Sequence, residues 1–195
     1  FWSGLLNTLL VWTKVSRWRK ASKCKRTIKK LQLHLTIQNN RRDAVIRQSR
    51  IDIAQLLQTG HINQALDRVE QLYKDQCRLS AYDQINHFCL YLVNLSHFYN
   101  QSSTLSLPIS VGEAVSTLIF AASRCGELPE LHTLRLLFKE RYGYKFEKVN
   151  VELLPGNLVN SQIKKDLCMN SVPDYVKNNL ISEISREFTF NLEFQ

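Results

Sequence analysis

Arg19, Lys23, Arg26, Lys30, His34 and Arg41 are the residues of this sequence whose types and spacing carry the clearest chemistry. At about 100° per residue of α-helix they fall within an arc of about 80°, and Lys20, Lys25 and Lys29 widen it. The chemistry is recognition of negative charge. A run of cations is usually a solvated helix face balanced by its own carboxylates. Here no Asp or Glu lies within four positions of any of the six except Asp43 beside Arg41, so pairing along the helix does not account for them. Each such cation near an anionic surface contributes on the order of 1 kcal/mol, so six acting together would decide binding. The expected counterpart is an anionic membrane surface or an acidic partner.

The rest of the charge is unremarkable, which sharpens this reading. The 195 residues carry a net charge of +9. Eleven Lys and Arg and no Asp or Glu lie at or before Arg42, whereas the remainder holds 15 basic and 17 acidic side chains. The positive charge therefore belongs to the first arm of the chain. Other chemistries find no pattern. The five cysteines, Cys24, Cys77, Cys89, Cys125 and Cys168, are odd in number and widely scattered, unlike a disulfide framework or a zinc site. They read as buried or bystander thiols in a reducing cytosol. His87 and Cys89 stand two apart and point away from each other on a helix, and His61, His97 and His132 have no partner at ligand spacing. There is no Gly-rich phosphate loop and no nucleophile elbow. The expectation is a protein without metal, cofactor or enzymatic activity.

The elements that position the cations follow from what the sequence lacks. No proline precedes Pro108, and between Gly4 and Gly112 the only glycine is Gly60. Because Pro and Gly are the strongest breakers of regular structure, this predicts two long helices, residues 14–58 and 62 to about 100, with one bend at Gly60. The first would extend about 65 Å. Such a hairpin is suited to lying along a surface or stacking side by side. In the first arm Ile28, Leu31, Leu35, Ile46, Ile53, Leu56 and Leu57 mark an apolar side from which Leu33, Ile37 and Ile51 depart, and residues 39–43 form a polar interruption where a kink or loop is expected. In the second, Ile62, Ala65, Leu66, Val69, Leu72 and Tyr73, then Tyr82, Ile85, Phe88, Cys89 and Leu92, keep one helical face.

Further on, Ser110 and Glu113 have the spacing of a capping box, followed by a short core helix through Val111, Ala114, Val115, Leu118, Ile119 and Ala122. Pro129 opens a fourth helix that Gly143 closes, with Leu131, Leu134, Leu137 and Phe138 facing inward. Residues 146–160 read as a loop with one extended segment at 149–153, residues 159–168 as a short helix, and Pro173-Asp174 as the start of a last helix with Val176, Leu180, Ile181, Ile184 and Phe188 buried. Phe188, Phe190, Leu192 and Phe194 alternate as in a strand.

The first dozen residues are apolar, with Trp2, Leu5, Leu9 and Trp12 next to Lys14, Trp18, Arg19 and Lys20. They are too few to span a bilayer, which needs about 20, and the charge follows the apolar run, opposite to a secretory signal. Two readings stand: a helix lying in a lipid interface through Trp2, Leu5, Leu9 and Trp12, or a helix end packed on the core or on a partner. The chain thus divides into an apolar segment 1–13, a helical domain 14–190 and a short tail 191–195.

A set of segments in order then becomes informative: Arg50-Ile51-Asp52-Ile53-Ala54-Gln55-Leu56-Leu57-Gln58-Thr59-Gly60, Arg68-Val69-Glu70, Glu113-Ala114-Val115-Ser116-Thr117-Leu118-Ile119-Phe120-Ala121-Ala122-Ser123-Arg124, Leu128-Pro129-Glu130-Leu131 and Arg141-Tyr142-Gly143-Tyr144-Lys145-Phe146. Together, over about residues 19–188, they resemble the increased-sodium-tolerance (Ist) family, regulators of vacuolar protein sorting related to ESCRT-III subunits. The resemblance implies an all-α fold of ESCRT-III type: a long antiparallel hairpin of the first two helices, two shorter helices packed on it, and C-terminal helices crossing its end. It implies a non-enzymatic regulator or scaffold in endosomal multivesicular body sorting, peripheral on endosomal membranes from the cytoplasm. It also implies binding of charged multivesicular body (ESCRT-III) subunits, a self- or co-polymer, and modulation of the AAA ATPase that disassembles it. Arg68 and Glu70 would belong to a partner surface, although Leu66 stands where the family usually has a basic residue. The competing reading is a basic helical nucleic-acid-binding module. Few aromatics follow Trp18 in the basic arm for stacking, so no nucleic acid is expected.

Overall fold

The computed structural model describes residues 17–101 and 107–193, so Trp2, Leu5, Leu9 and Trp12 lie outside the described residues. The described chain is helical throughout: α1 (Ala21–Gln58), α2 (Ile62–Asn94), α3 (Ser96–Asn100), α4 (Ile109–Ala122), α5 (Pro129–Tyr142), α6 (Tyr144–Val151), α7 (Ser161–Leu167) and α8 (Asp174–Glu193). It falls into two compact units, Phe1–Leu33 with Ile85–Asn160, and His34–Gln84 with Ser161–Gln195.

In the first unit, α1 turns Ala21, Cys24, Ile28 and Leu31 inward, each essentially without solvent exposure. Their alternating spacing of three and four is that of a coiled-coil seam, and Ile85, Cys89 and Leu92 of α2 are buried in the same unit. Helix α4 lies at the centre. From Val111 to Ala121 only Glu113 escapes burial, as expected of a helix that is apolar nearly all round, and α5 and α6 both pack on it. A Cβ on Gly112 would come within 2.7 Å of a methyl of Leu158, in the segment after α6.

The second unit holds the bend. Thr59 ends α1, the Gly60 and His61 N–H groups donate to the Leu57 and Leu56 carbonyls, and Gly60 takes φ +77°. This is the Schellman closure that a C′ glycine allows. Beyond it Ile46, Ile53 and Ala54 of α1 pack with Ala65, Val69 and Leu72 of α2 and with Leu180 and Ile184 of α8. Arg50 clamps α8 by donating from Nη2 to Glu183 at 2.9 Å and to Glu187 at 2.5 Å. Asp166 of α7 accepts from Ser80 and Gln84 of α2.

Several expectations are corrected. Residues 17–20, expected within the first helix, precede α1, which begins at Ala21: the Trp18 carbonyl accepts the Ala21 N–H and Arg19 sits in the preceding turn. Residues 39–43 form no loop: α1 runs through them, with Asn39 donating to Asp83 and Arg42 to Asp75 of α2, the latter at 2.6 Å. The second arm stops at Asn94, and Leu95, in extended geometry, starts the separate helix α3. Ser110 and Glu113 form no capping box. Pro108 is the N-cap of α4, Ser110 pairs with the Tyr91 hydroxyl, and Glu113 accepts from Asn160. Residues 144–151 are helical where a loop and extended segment were expected, since Glu147 is drawn inward by Arg135 and Lys139 and Asn150 is buried between the Phe146 carbonyl and the Leu158 N–H. Phe188, Phe190 and Leu192 do not form a strand, since α8 runs to Glu193, and Phe194 lies outside the described residues.

Candidate membrane and partner interface

The seam decides where the basic residues of the first unit go. With Ala21, Cys24, Ile28 and Leu31 inward, Lys23, Arg26 and Lys30 fall on the opposite side of α1, about 150° round at 100° per residue, and all three are exposed, as are Arg19 in the turn and Lys29. No carboxylate pairs with any of these five among the described residues. The flanking cations are partly engaged. Lys20 donates to Glu140 at 2.7 Å, and Lys25 lies 5.5 Å from the centre of the Tyr99 ring. The core of the basic face is thus Lys23, Arg26 and Lys30, held by a rigid helix and with nothing of opposite sign beside them.

His34 and Arg41 belong to the second unit. Arg41 is exposed, whereas His34 is half-buried with its Nε2 at 3.2 Å from the Gln38 amide nitrogen. Arg68 and Glu70 are occupied inside the same unit. Arg68 donates to Asp52 of α1 at 2.8 Å, and Glu70 accepts from Lys74 at 2.8 Å and from Lys177 of α8 at 3.2 Å. Those cations keep the Glu70 carboxyl below its ordinary range, first through the Lys74 and Lys177 hydrogen bonds. The Arg-Val-Glu segment therefore ties α2 to α1 and α8.

Cys24, Cys77, Cys89 and Cys125 are buried, and Cys168 is exposed. Burial pushes the Cys24 thiol up to about 12, and Cys89 rises for the same reason, leaving both protonated at neutral pH, while a nucleophile needs the thiolate. No group of His, Cys, Asp and Glu able to hold a metal ion occurs among the described residues. No helix among them is long and apolar enough to cross a membrane.

A feature that the sequence did not reveal lies in the first unit. The Arg141 guanidinium lies 4.3 Å from the centre of the Trp18 ring and 4.5 Å from that of Phe98, two rings that themselves meet edge to face at 5.8 Å. It borders a cleft of about 350 Å³. Only the Arg141-Tyr142-Gly143 helix end was visible in the sequence, and nothing in its spacing indicates which rings it meets.

An all-helical chain whose two longest helices are joined by a tight bend, with short helices packed against their ends, has the architecture of the ESCRT-III-like proteins. The crystal structure of the N-terminal domain of S. cerevisiae Ist1, in complex with the Did2 MIM motif, superposes with a TM-score of 0.73, covering 88% of this chain and 93% of that one at 20% identity, a likeness of fold. The family model for Ist1, described as regulator of Vps4 activity in the MVB pathway, matches residues 25–191, and the chain belongs to the Ist1 family. An IST1-like protein of Dictyostelium discoideum is 24% identical over 164 residues, covering 82% of this chain and 43% of that protein. The vacuolar protein sorting-associated protein IST1 of Saccharomyces cerevisiae is 28% identical over 163 residues, covering 77% and 52%. The chain thus spans about half the length of the curated relatives it matches.

Proposed function

We propose that this chain is a non-enzymatic regulator and scaffold of ESCRT-III assembly, acting in multivesicular body sorting at endosomal membranes. It binds charged multivesicular body subunits, co-assembles with them, and through that assembly modulates the AAA ATPase that takes the polymer apart. Two findings support this reading: membership of a family described as regulating Vps4 in the MVB pathway, and a fold shared with a domain crystallised with the Did2 MIM motif. The observation that carries the membrane part is the face of Lys23, Arg26 and Lys30 with Arg19, exposed and without carboxylate partners among the described residues. Such a face meets an anionic lipid surface or an acidic subunit.

The nucleic-acid alternative finds less support. Binding to single strands uses exposed aromatic platforms beside the cations, and here Trp18 is stacked on Arg141 while Tyr99 is buried beneath Lys25. The deciding experiment mixes the purified chain with a charged multivesicular body subunit on anionic liposomes and looks for filaments by negative-stain electron microscopy. Filaments that require both proteins are the expected result. Absence of both binding and filaments would overturn the reading.

A further inference from the structure

The described residues begin, at Arg17, beside the rim of the cleft that Arg141 borders. Trp18 is pinned there by its backbone, donating its N–H to the Tyr99 carbonyl at 3.3 Å while its own carbonyl accepts the Ala21 N–H. Its ring meets Phe98 edge to face and lies 4.3 Å from the Arg141 guanidinium, which donates from Nη2 to the Gln101 carbonyl at 2.9 Å. Phe98, Gln101 and Arg141 all line the cleft, and Tyr91, Leu95, Leu107 and Val111 make it apolar, all within the first unit. The contacts of Trp18 therefore fix the point from which residues 1–16 depart, and that point is next to an apolar cleft of about 350 Å³.

We propose that the occupant of this cleft is the chain's own segment 1–13, which seats leucines of its Leu5-Leu6 and Leu9-Leu10 pairs against Leu95, Leu107 and Val111 when no membrane is present. Segment 1–13 contains no charged side chain, the first being Lys14, so it enters an apolar cleft without burying a charge. Reach is sufficient. Leu10 stands seven residues before Arg17, and an extended chain of that length spans about 25 Å at most. The tether also supplies much of the affinity. A short flexible link gives an effective concentration in the millimolar range, so an intrinsic dissociation constant of about 0.1 mM already keeps the segment docked. A second copy or a separate protein has no such advantage. The volume is near the lower end for ligand clefts and takes a few leucine side chains, not a two-chain lipid. Docking on the first unit and insertion into a lipid interface use the same leucines, so the two are alternatives, and the cleft is the site that holds the segment in solution.

The test places the photo-crosslinking residue p-benzoylphenylalanine at Leu6 and, in a second sample, at Leu9 of the full chain. Each is irradiated in dilute solution without membrane, and the products are mapped by mass spectrometry. Crosslinks within one chain are expected to concentrate in residues 91–111, at a yield that does not depend on protein concentration. Leu107→Gln, a substitution at a partly exposed wall of the cleft, is expected to lower that yield at least fivefold with thermal unfolding unchanged. Crosslinks from both positions that avoid residues 91–111, or an undiminished yield in a folded Leu107→Gln chain, would overturn the proposal. So would crosslinks only between copies, rising with protein concentration, or crosslinks only to lipid once phosphatidylserine vesicles are added, which would assign the segment to a second copy or to the lipid interface. Because the cleft shares no residue with the face of Lys23, Arg26 and Lys30, charge reversal on that face leaves the yield in solution unchanged, and the two readings fail separately.

Discussion

Reversing Lys23, Arg26 and Lys30 together to Glu isolates what the basic face of α1 does. All three are exposed and none pairs with a carboxylate among the described residues, so the folded state loses no ion pair. The change is mildly favourable at Lys23, because α1 begins at Ala21 with no acidic residue in its first turn and carboxylates at a helix N-terminus stabilise by about 0.3–1 kcal/mol. The fold should therefore survive, with a change in unfolding free energy within about 0.5–1 kcal/mol by urea titration. Membrane affinity should not. Three lost attractions of about 1 kcal/mol each amount to about 3 kcal/mol, roughly a hundredfold in partition, before the added repulsion is counted. The assay is co-sedimentation with phosphatidylserine-containing liposomes across a salt series. Wild-type binding should weaken as the Debye length contracts from about 10 Å at 0.1 M salt, and the variant should bind weakly at every salt concentration. A correctly folded variant that sediments like wild type would refute the assignment of this face.

Other substitutions test the packing. Leu118→Asp, at a position without solvent exposure in the central helix α4, buries an unpaired carboxylate and should abolish cooperative unfolding at neutral pH, read by circular dichroism. At Gly60, where φ is +77° and a Cβ would meet nothing within 4 Å, Gly60→Val should cost about 1–2 kcal/mol from backbone strain alone, and Gly60→Asn less; equal losses would contradict the left-handed turn. Burial would raise the Glu147 carboxyl, but Arg135 and Lys139 hold it below its ordinary value, so this group's contribution is present at neutral pH and lost as pH falls through its depressed folded-state value. Glu147→Leu frees two partly exposed cations to reach water and should cost about 1–3 kcal/mol. Arg135→Met with Lys139→Met strands the buried carboxylate and should cost about 3–5 kcal/mol. That larger loss should shrink on acidification, and a loss that does not change with pH would remove the ion triad from the argument.

What could be read from the sequence, and what could not, divides along a physical line. The inward seam of α1 and its exposed cations both follow from one helical period, which a single strand of sequence contains. So does the end of α1, since Gly60 is the only breaker in the region. Leu33, Ile37 and Ile51, read as off the apolar side, are 71, 50 and 40% exposed. Several of the failures involve a partner outside the local stretch of sequence. Asn39 and Arg42 looked like an interruption because Asp83 and Asp75 lie more than thirty residues away. Glu113 looked like half of a capping box because Asn160 was not in view. Glu147 looked like loop because its burial depends on two cations of α5. The Arg141 cleft is the extreme case. It needs a ring from before α1, one from α3 and a carbonyl at Gln101 to close around one guanidinium, and none of those residues has a spacing that marks it. A helical scaffold therefore announces its long faces in its sequence and conceals its clefts, because faces are made by period and clefts by the meeting of helix ends. In this chain, that places the basic face of α1 among the readable features and the Arg141 cleft among those that only the folded structure brings together.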